Sequence, residues 1–121
     1  MYRDLTVSAN PVPELTPAAF QVLLVLAGGD AHGYAVMREV EELTSGAVRL
    51  GPGTLYRTIG RLLADGLIEE CEGSDPDAPH DARRRRYRVT ATGLQAVRAQ
   101  ARLQARLVER ARAAGLLGSG A

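Results

Sequence analysis

The stretch Gly51-Pro52-Gly53-Thr54-Leu55-Tyr56-Arg57-Thr58-Ile59-Gly60-Arg61-Leu62-Leu63-Ala64-Asp65-Gly66 decides the fold. Leu55, Ile59, Leu62 and Leu63 recur at i, i+4, i+7 and i+8, the spacing of one inward helix face. Thr54, Arg57, Thr58 and Arg61 fall on the opposite face. Such a helix docks by one side and offers two guanidinium groups and two hydroxyls on the other. Gly51-Pro52-Gly53 makes a tight turn into it, with Pro at the first helical position. Gly66 caps its end. Gly60 costs ~1 kcal/mol relative to Ala inside a helix, which predicts the close approach of a neighbouring helix there. Tyr56 adjoins the buried face. Its ring suits the core and its hydroxyl suits a phosphate, and both uses stay open.

Working outward, a helix is expected from about His32 to Thr44, with Val36, Met37, Val40 and Leu43 on one face. Residues 45–51 form a short turn between the two helices. Upstream, Thr16-Pro17 is a hydroxyl N-cap followed by Pro. It opens a helix that is apolar nearly all round and therefore sits inside a core or against a partner. On the other side come a strand over Leu67–Glu72, a polar loop, and a returning strand over Arg84–Val89. Thr90 then caps a long helix from about Ala91 to Ala114. The order predicts a mainly α fold with a β-hairpin: a winged helix-turn-helix plus a long C-terminal dimerisation helix. The expected divisions are an N-terminal arm (1–15), the winged domain (16–90), the dimerisation helix (91–115) and a flexible tail (116–121).

The 121 residues suit one domain with a modest core. All 15 basic residues are Arg, and their placement is uneven. Residues 1–82 hold five Arg against 13 acidic residues, a balance of −8. Residues 83–121 hold ten Arg against one Glu, a balance of +9. Segregation on this scale points to a polyanion, to an electrostatic contact between subunits, or to both. Cys71 is the only cysteine, so no internal disulfide can form. The N-terminus lacks a signal-peptide run and no apolar stretch could cross a bilayer, so a cytoplasmic protein with no membrane partner is expected. Cys71, His32 and His80 match no zinc spacing. No cofactor motif or catalytic constellation stands out, and no enzymatic activity is expected.

Three segments carry a family resemblance. They are His32-Gly33-Tyr34; Gly51-Pro52-Gly53-Thr54-Leu55-Tyr56 with Arg61-Leu62-Leu63-Ala64-Asp65-Gly66-Leu67-Ile68; and Arg86-Tyr87-Arg88-Val89-Thr90-Ala91-Thr92-Gly93. In this order and spacing the chain resembles the PadR-like family of winged-helix transcriptional regulators, in its compact form with a single C-terminal helix. The resemblance implies a homodimer that binds a pseudo-palindromic operator on double-stranded DNA and represses transcription. It places Thr54, Tyr56 and Arg57 at the DNA, and the C-terminal helix at the dimer contact. It also implies a small-molecule effector, but some relatives stack theirs between tryptophans, and this chain has none.

The DNA-contact set expected from helix and wing together is Tyr34, Thr54, Tyr56, Arg57, Thr58, Arg61, Arg83, Arg84, Arg85 and Arg86. For the wing arginines a second reading stands beside phosphate contact: neutralisation of Glu72, Asp75, Asp77 and Asp81 within the same hairpin. Alternation sends Arg84, Arg86 and Arg88 to one face and Arg83, Arg85 and Tyr87 to the other. On the last helix Leu94, Val97, Ala101 and Val108 follow a heptad-like seam, with Leu103 and Leu107 beside it. A two-fold partner covers both stripes better than one small domain could. Arg98, Arg102, Arg106 and Arg110 repeat every four residues. They make either a solvated stripe or a contact with the acidic Glu39, Glu41 and Glu42 of a partner subunit. Phe20, Leu24, Val97 and Ala101 are candidates for an effector cleft or for plain core. The competing function is a winged-helix protein-interaction module that does not bind DNA.

Overall fold

The computed structural model describes residues 15–71 and 85–118. Most of the N-terminal arm, the acidic wing loop with Glu72, Asp75, Asp77, His80 and Asp81, Arg83, Arg84, and the last three residues lie outside them. In chain order the elements are α1 (Pro17–Ala27), β1 (Ala31–His32), α2 (Gly33–Leu43), α3 (Pro52–Ala64), β2 (Ile68–Cys71), β3 (Arg86–Val89) and α4 (Ala91–Ala113). This is a winged helix-turn-helix followed by a long helix. β1 is the one element that the sequence did not announce.

α1 is the central pillar. Thr16 caps it by accepting a hydrogen bond from the Ala19 amide at 3.1 Å. Ala19, Val22, Leu23, Val25 and Leu26 are all buried. The helix touches α2, α3, α4 and β3, which accounts for its near-continuous apolar surface. Leu24 is exposed on the remaining side. From α3, Leu55, Ile59 and Leu62 enter the same core, joined by Val36 and Val40 of α2. Each such aliphatic side chain stabilises the fold by about 1.5–3 kcal/mol on full burial.

The inward stripes end sooner than their periodicity suggests. Leu43, the last residue of α2, is 63% exposed, and Leu63, at the edge of the α3 stripe, is 37% exposed.

The expectation for Gly60 fails. It is exposed, and a methyl group there would meet nothing within 4 Å. Close approach occurs instead at the buried Gly93, in the first turn of α4. A Cβ at Gly93 would fall on the Leu67 carbonyl oxygen and the Val89 methyl. The same junction is knitted by Thr90. Its amide donates to the Leu67 carbonyl at 3.0 Å. Its hydroxyl donates to the Gly66 carbonyl at 2.7 Å and accepts from the Gly93 amide at 3.1 Å. Gly66, at φ +73°, closes α3 with paired bonds from Gly66 to Leu63 and from Leu67 to Leu62.

The antiparallel sheet has the order β1-β3-β2. Ile68 stands opposite Val89, Glu69 opposite Arg88, Glu70 opposite Tyr87 and Cys71 opposite Arg86. Ala31 and His32 of β1 pair with Tyr87 and Arg86. Alternation carries Ile68, Tyr87 and Val89 to the core side, as expected for Tyr87 against Arg86 and Arg88.

Burial, and then the nearby Glu70 carboxylate, hold the Tyr87 phenol above its ordinary pKa. Arg85 pulls the other way and Tyr56 adds to the rise. The fold therefore favours the neutral phenol. That stabilisation is complete below the unfolded value of about 10 and is lost as pH climbs through the raised native value. Unfolding free energy should decline above about pH 10, and the decline should be shallower in Tyr87→Phe, as read by urea titrations across that range. At the α4 junction, Gly93→Ala should cost about 1–3 kcal/mol in the same measurement through overpacking against fixed backbone.

Candidate nucleic-acid interface

α3 carries its polar face outward on a firmly held base. Thr54, Arg57 and Arg61 are exposed and Thr58 is half-buried, while Leu55, Ile59 and Leu62 behind them are buried. Arg57 donates to the Thr54 hydroxyl at 3.4 Å. Among the described residues neither Arg57 nor Arg61 has a carboxylate partner. Tyr56 is half-buried and packs on the core. A cleft of about 460 Å³ opens beside this face, between the start of α1 and α3. Leu15, Ala19 and Leu62 line it together with Arg57, Arg61 and Asp65.

The helix ends differ in a way that bears on anions. α1 and α4 are closed by threonine side chains, Thr16 and Thr90. α2 and α3 begin at His32 and Gly51, and neither supplies a side-chain cap. The first amide of α3 to meet a backbone acceptor is that of Leu55, which donates to the Gly51 carbonyl. Pro52 has no N–H, so Gly53 and Thr54 present the orphan amides at this end. Backbone amides at a helix N-terminus suit a phosphate oxygen. Tyr34 lies in the first turn of α2, with its ring stacked on His32 at a centroid separation of 5.8 Å.

The turn between α2 and α3 is set by Thr44. Its hydroxyl donates to the Val40 carbonyl and accepts from the Val48 amide, each at 3.0 Å. Ser45 follows in the left-handed region at φ +51°, and Gly46 at +84°. Bonds from Ser45 to the Glu42 carbonyl and from Gly46 to that of Glu41 close α2. This turn fixes the direction in which α3 leaves.

The wing arginines are arranged otherwise. Arg85 meets Glu70 at 3.5 Å, Arg86 meets Asp30 at 3.1 Å, and Arg88 meets Glu69 at 2.7 Å. The Glu69 hydrogen bond and charge raise the Arg88 pKa still further above its ordinary value. Neutralisation of wing arginines thus occurs through Glu70, Asp30 and Glu69, while Glu72, Asp75, Asp77 and Asp81 lie outside the described residues. Asp30 lies in the short link between α1 and β1, 56 residues before its arginine, and no sequence pattern pairs them. Glu69 could have been found from strand register alone, because it stands directly opposite Arg88.

On α4 the expected interface residues divide. Val97 is buried in the chain's own core, and Leu94 and Ala101 are half-buried. Leu103, Leu107 and Val108 are exposed. Arg98, Arg102, Arg106 and Arg110 are also exposed, with no carboxylate partner among the described residues. Of the cleft candidates, Phe20 packs half-buried on the core, and Leu24 is exposed. Among the described residues no three His, Cys, Asp or Glu side chains gather as a metal site. No described helix is long and apolar enough to cross a membrane.

Comparison with known proteins agrees with this geometry. A transcriptional regulator from Clostridium thermocellum is 23% identical, with a TM-score of 0.61 over 77% of this chain and 87% of that one. A PadR family transcription regulator from Clostridium difficile is 20% identical, with a TM-score of 0.63 over 78% and 94%. Bacillus subtilis PadR, solved in complex with operator DNA, is 17% identical, with a TM-score of 0.57 over 68% and 45%. These likenesses establish the fold. An uncharacterized 37.1 kDa protein from a Streptomyces fradiae transposon is 34% identical over 90 residues, 74% of this chain. The chain spans about a quarter of that relative's length, 24%. The family described as "Transcriptional regulator PadR-like family" matches residues 22–99, well over half of the chain. The chain therefore belongs to the PadR-like family of transcriptional regulators, which are not enzymes.

Proposed function

We propose that the protein is a homodimeric repressor that reads operator DNA with α3 in the major groove. The observation that carries this reading is the outward face of α3. Arg57 and Arg61 project from a helix locked by Leu55, Ile59 and Leu62, and no carboxylate among the described residues engages either one. The major groove accepts one α-helix, and arginine pairs bidentately with guanine there. Thr54, Thr58 and the uncapped helix start supply hydroxyls and amides for flanking phosphates. In this reading Tyr56 of α3 and Tyr34 in the first turn of α2 join the contact, and Arg85 and Arg86 at the start of β3 serve the neighbouring backbone, with Arg83 and Arg84 outside the described residues. The B. subtilis protein of the same fold was solved in complex with operator DNA, which favours DNA as the partner.

The dimer reading rests on α4. Its first two turns bury Gly93, Ala96 and Val97, whereas every side chain from Arg102 onward is exposed except the half-buried Ala111. At 1.5 Å per residue the helix continues for roughly 18 Å past the core. The face that packs inward early in α4 continues there as Leu103, Leu107 and Val108. A second copy laid along this apolar stripe would cover it. A two-fold pair would also set its reading helices one turn of DNA apart, roughly 34–36 Å.

The test is fluorescence anisotropy with duplex DNA from upstream of the protein's own gene. Binding should be saturable and salt-sensitive. Arg57→Ala and Arg61→Ala should each cost about 1–3 kcal/mol if bidentate to guanine. Absence of binding at low salt to any such duplex would favour the protein-interaction module instead. For the dimer, the Leu103→Glu, Leu107→Glu double variant should sediment as a folded monomer, and an unchanged dimer would refute the α4 contact.

A further inference from the structure

We propose that Asp30, Glu69 and Glu70 set the DNA affinity of the wing by competing with phosphate for Arg86, Arg88 and Arg85. The inference rests on the DNA-binding reading above. Every wing arginine among the described residues holds its own carboxylate, whereas neither arginine of α3 does. Strand pairing alone does not produce this pattern. Across the sheet Arg86 faces Cys71 on one side and His32 on the other. Its acid comes from outside the ladder, from the link that precedes β1.

The pairs are built to exchange. The three arginine side chains are 36–58% exposed and their partners 37–50%, so phosphate can reach either member without unfolding the wing. Exposed ion pairs are weakly held. A phosphate that displaces a carboxylate still meets its negative charge nearby. Each pair therefore subtracts from the number of phosphates the wing neutralises, and that number governs both affinity and salt dependence. Asp30 also lies at the uncapped start of α2, three residues before its first helical residue, where a negative charge opposes phosphate capture by that helix end.

The experiment measures anisotropy with the full-length chain and two duplexes, one from upstream of its own gene and one of scrambled sequence, between ~50 and ~200 mM salt. Asp30→Asn, Glu69→Gln and Glu70→Gln should each tighten binding to both duplexes by roughly threefold and steepen the log–log salt slope by about 0.9. Glu109→Gln, which removes the partner of Arg112 near the end of α4, should change neither. Asp30→Glu should restore wild-type affinity. On an Arg86→Ala background the gain from Asp30→Asn should vanish. A gain that persists there means general repulsion and overturns the proposal. Wing variants that bind like wild type overturn it while leaving DNA binding intact. If wild type and variants bind neither duplex, both readings fall together.

Discussion

The fold turns on one backbone junction, where the carbonyls of Gly66 and Leu67 are held by Thr90 and covered by Gly93. Thr90 uses its amide on Leu67 and its hydroxyl on Gly66, while the same hydroxyl caps α4. The missing side chain at Gly93 lets the first turn of α4 lie directly on Leu67. Four elements meet here: the end of α3, the start of β2, the end of β3 and the start of α4. The helix proposed to read DNA and the helix proposed to join two subunits are thus fixed to each other through a few hydrogen bonds. Any change in the tilt of α4 would be felt at the end of α3. In a two-fold dimer that coupling would hold the spacing of the two reading helices.

Around this junction the charges are sorted by element. Among the described residues the arginines of α3 have no carboxylate partner, and those of the wing are neutralised by β2 and by the link that precedes β1. The overall balance of +1 conceals this arrangement. A segregated sequence becomes a partly compensated surface once the hairpin closes, because β3 brings its arginines against the acidic β2 and the link at Asp30. Among the described residues the face of α3 and the stripe along α4 hold uncompensated arginines, and Arg98, Arg102, Arg106 and Arg110 repel one another mildly. The acidic Glu39 and Glu42 of α2 are likewise exposed.

The element order, the caps at Thr16 and Thr90, the stop at Gly66 and the buried faces of α1 and α3 were all legible from periodicity and capping chemistry. These features depend on neighbours within a few residues, and a helix repeats its environment every turn. The outward face of α3 was legible for the same reason. Gly60 was misread because an unfavourable glycine was taken to require a contact. In the structure it faces open space, and the glycine that packing demands is Gly93. Leu43 and Leu63 were misread because periodicity assigns a side but not how far the neighbouring helix extends.

By itself the sequence determined a winged helix-turn-helix with a polar outward face on its third helix and a long helix to follow. Those are local properties of spacing, helix caps and turn residues. Only the tertiary structure decided which arginines keep their charge available. Strand β1 is too short to leave a periodic signal, yet its pairing with β3 brings Asp30 to Arg86 across 56 residues. Ion pairing depends on distances of a few ångströms between distant segments, and no one-dimensional pattern encodes them. The face of α3 was therefore visible from the chain, and the partnered state of the wing beside it was settled by the sheet.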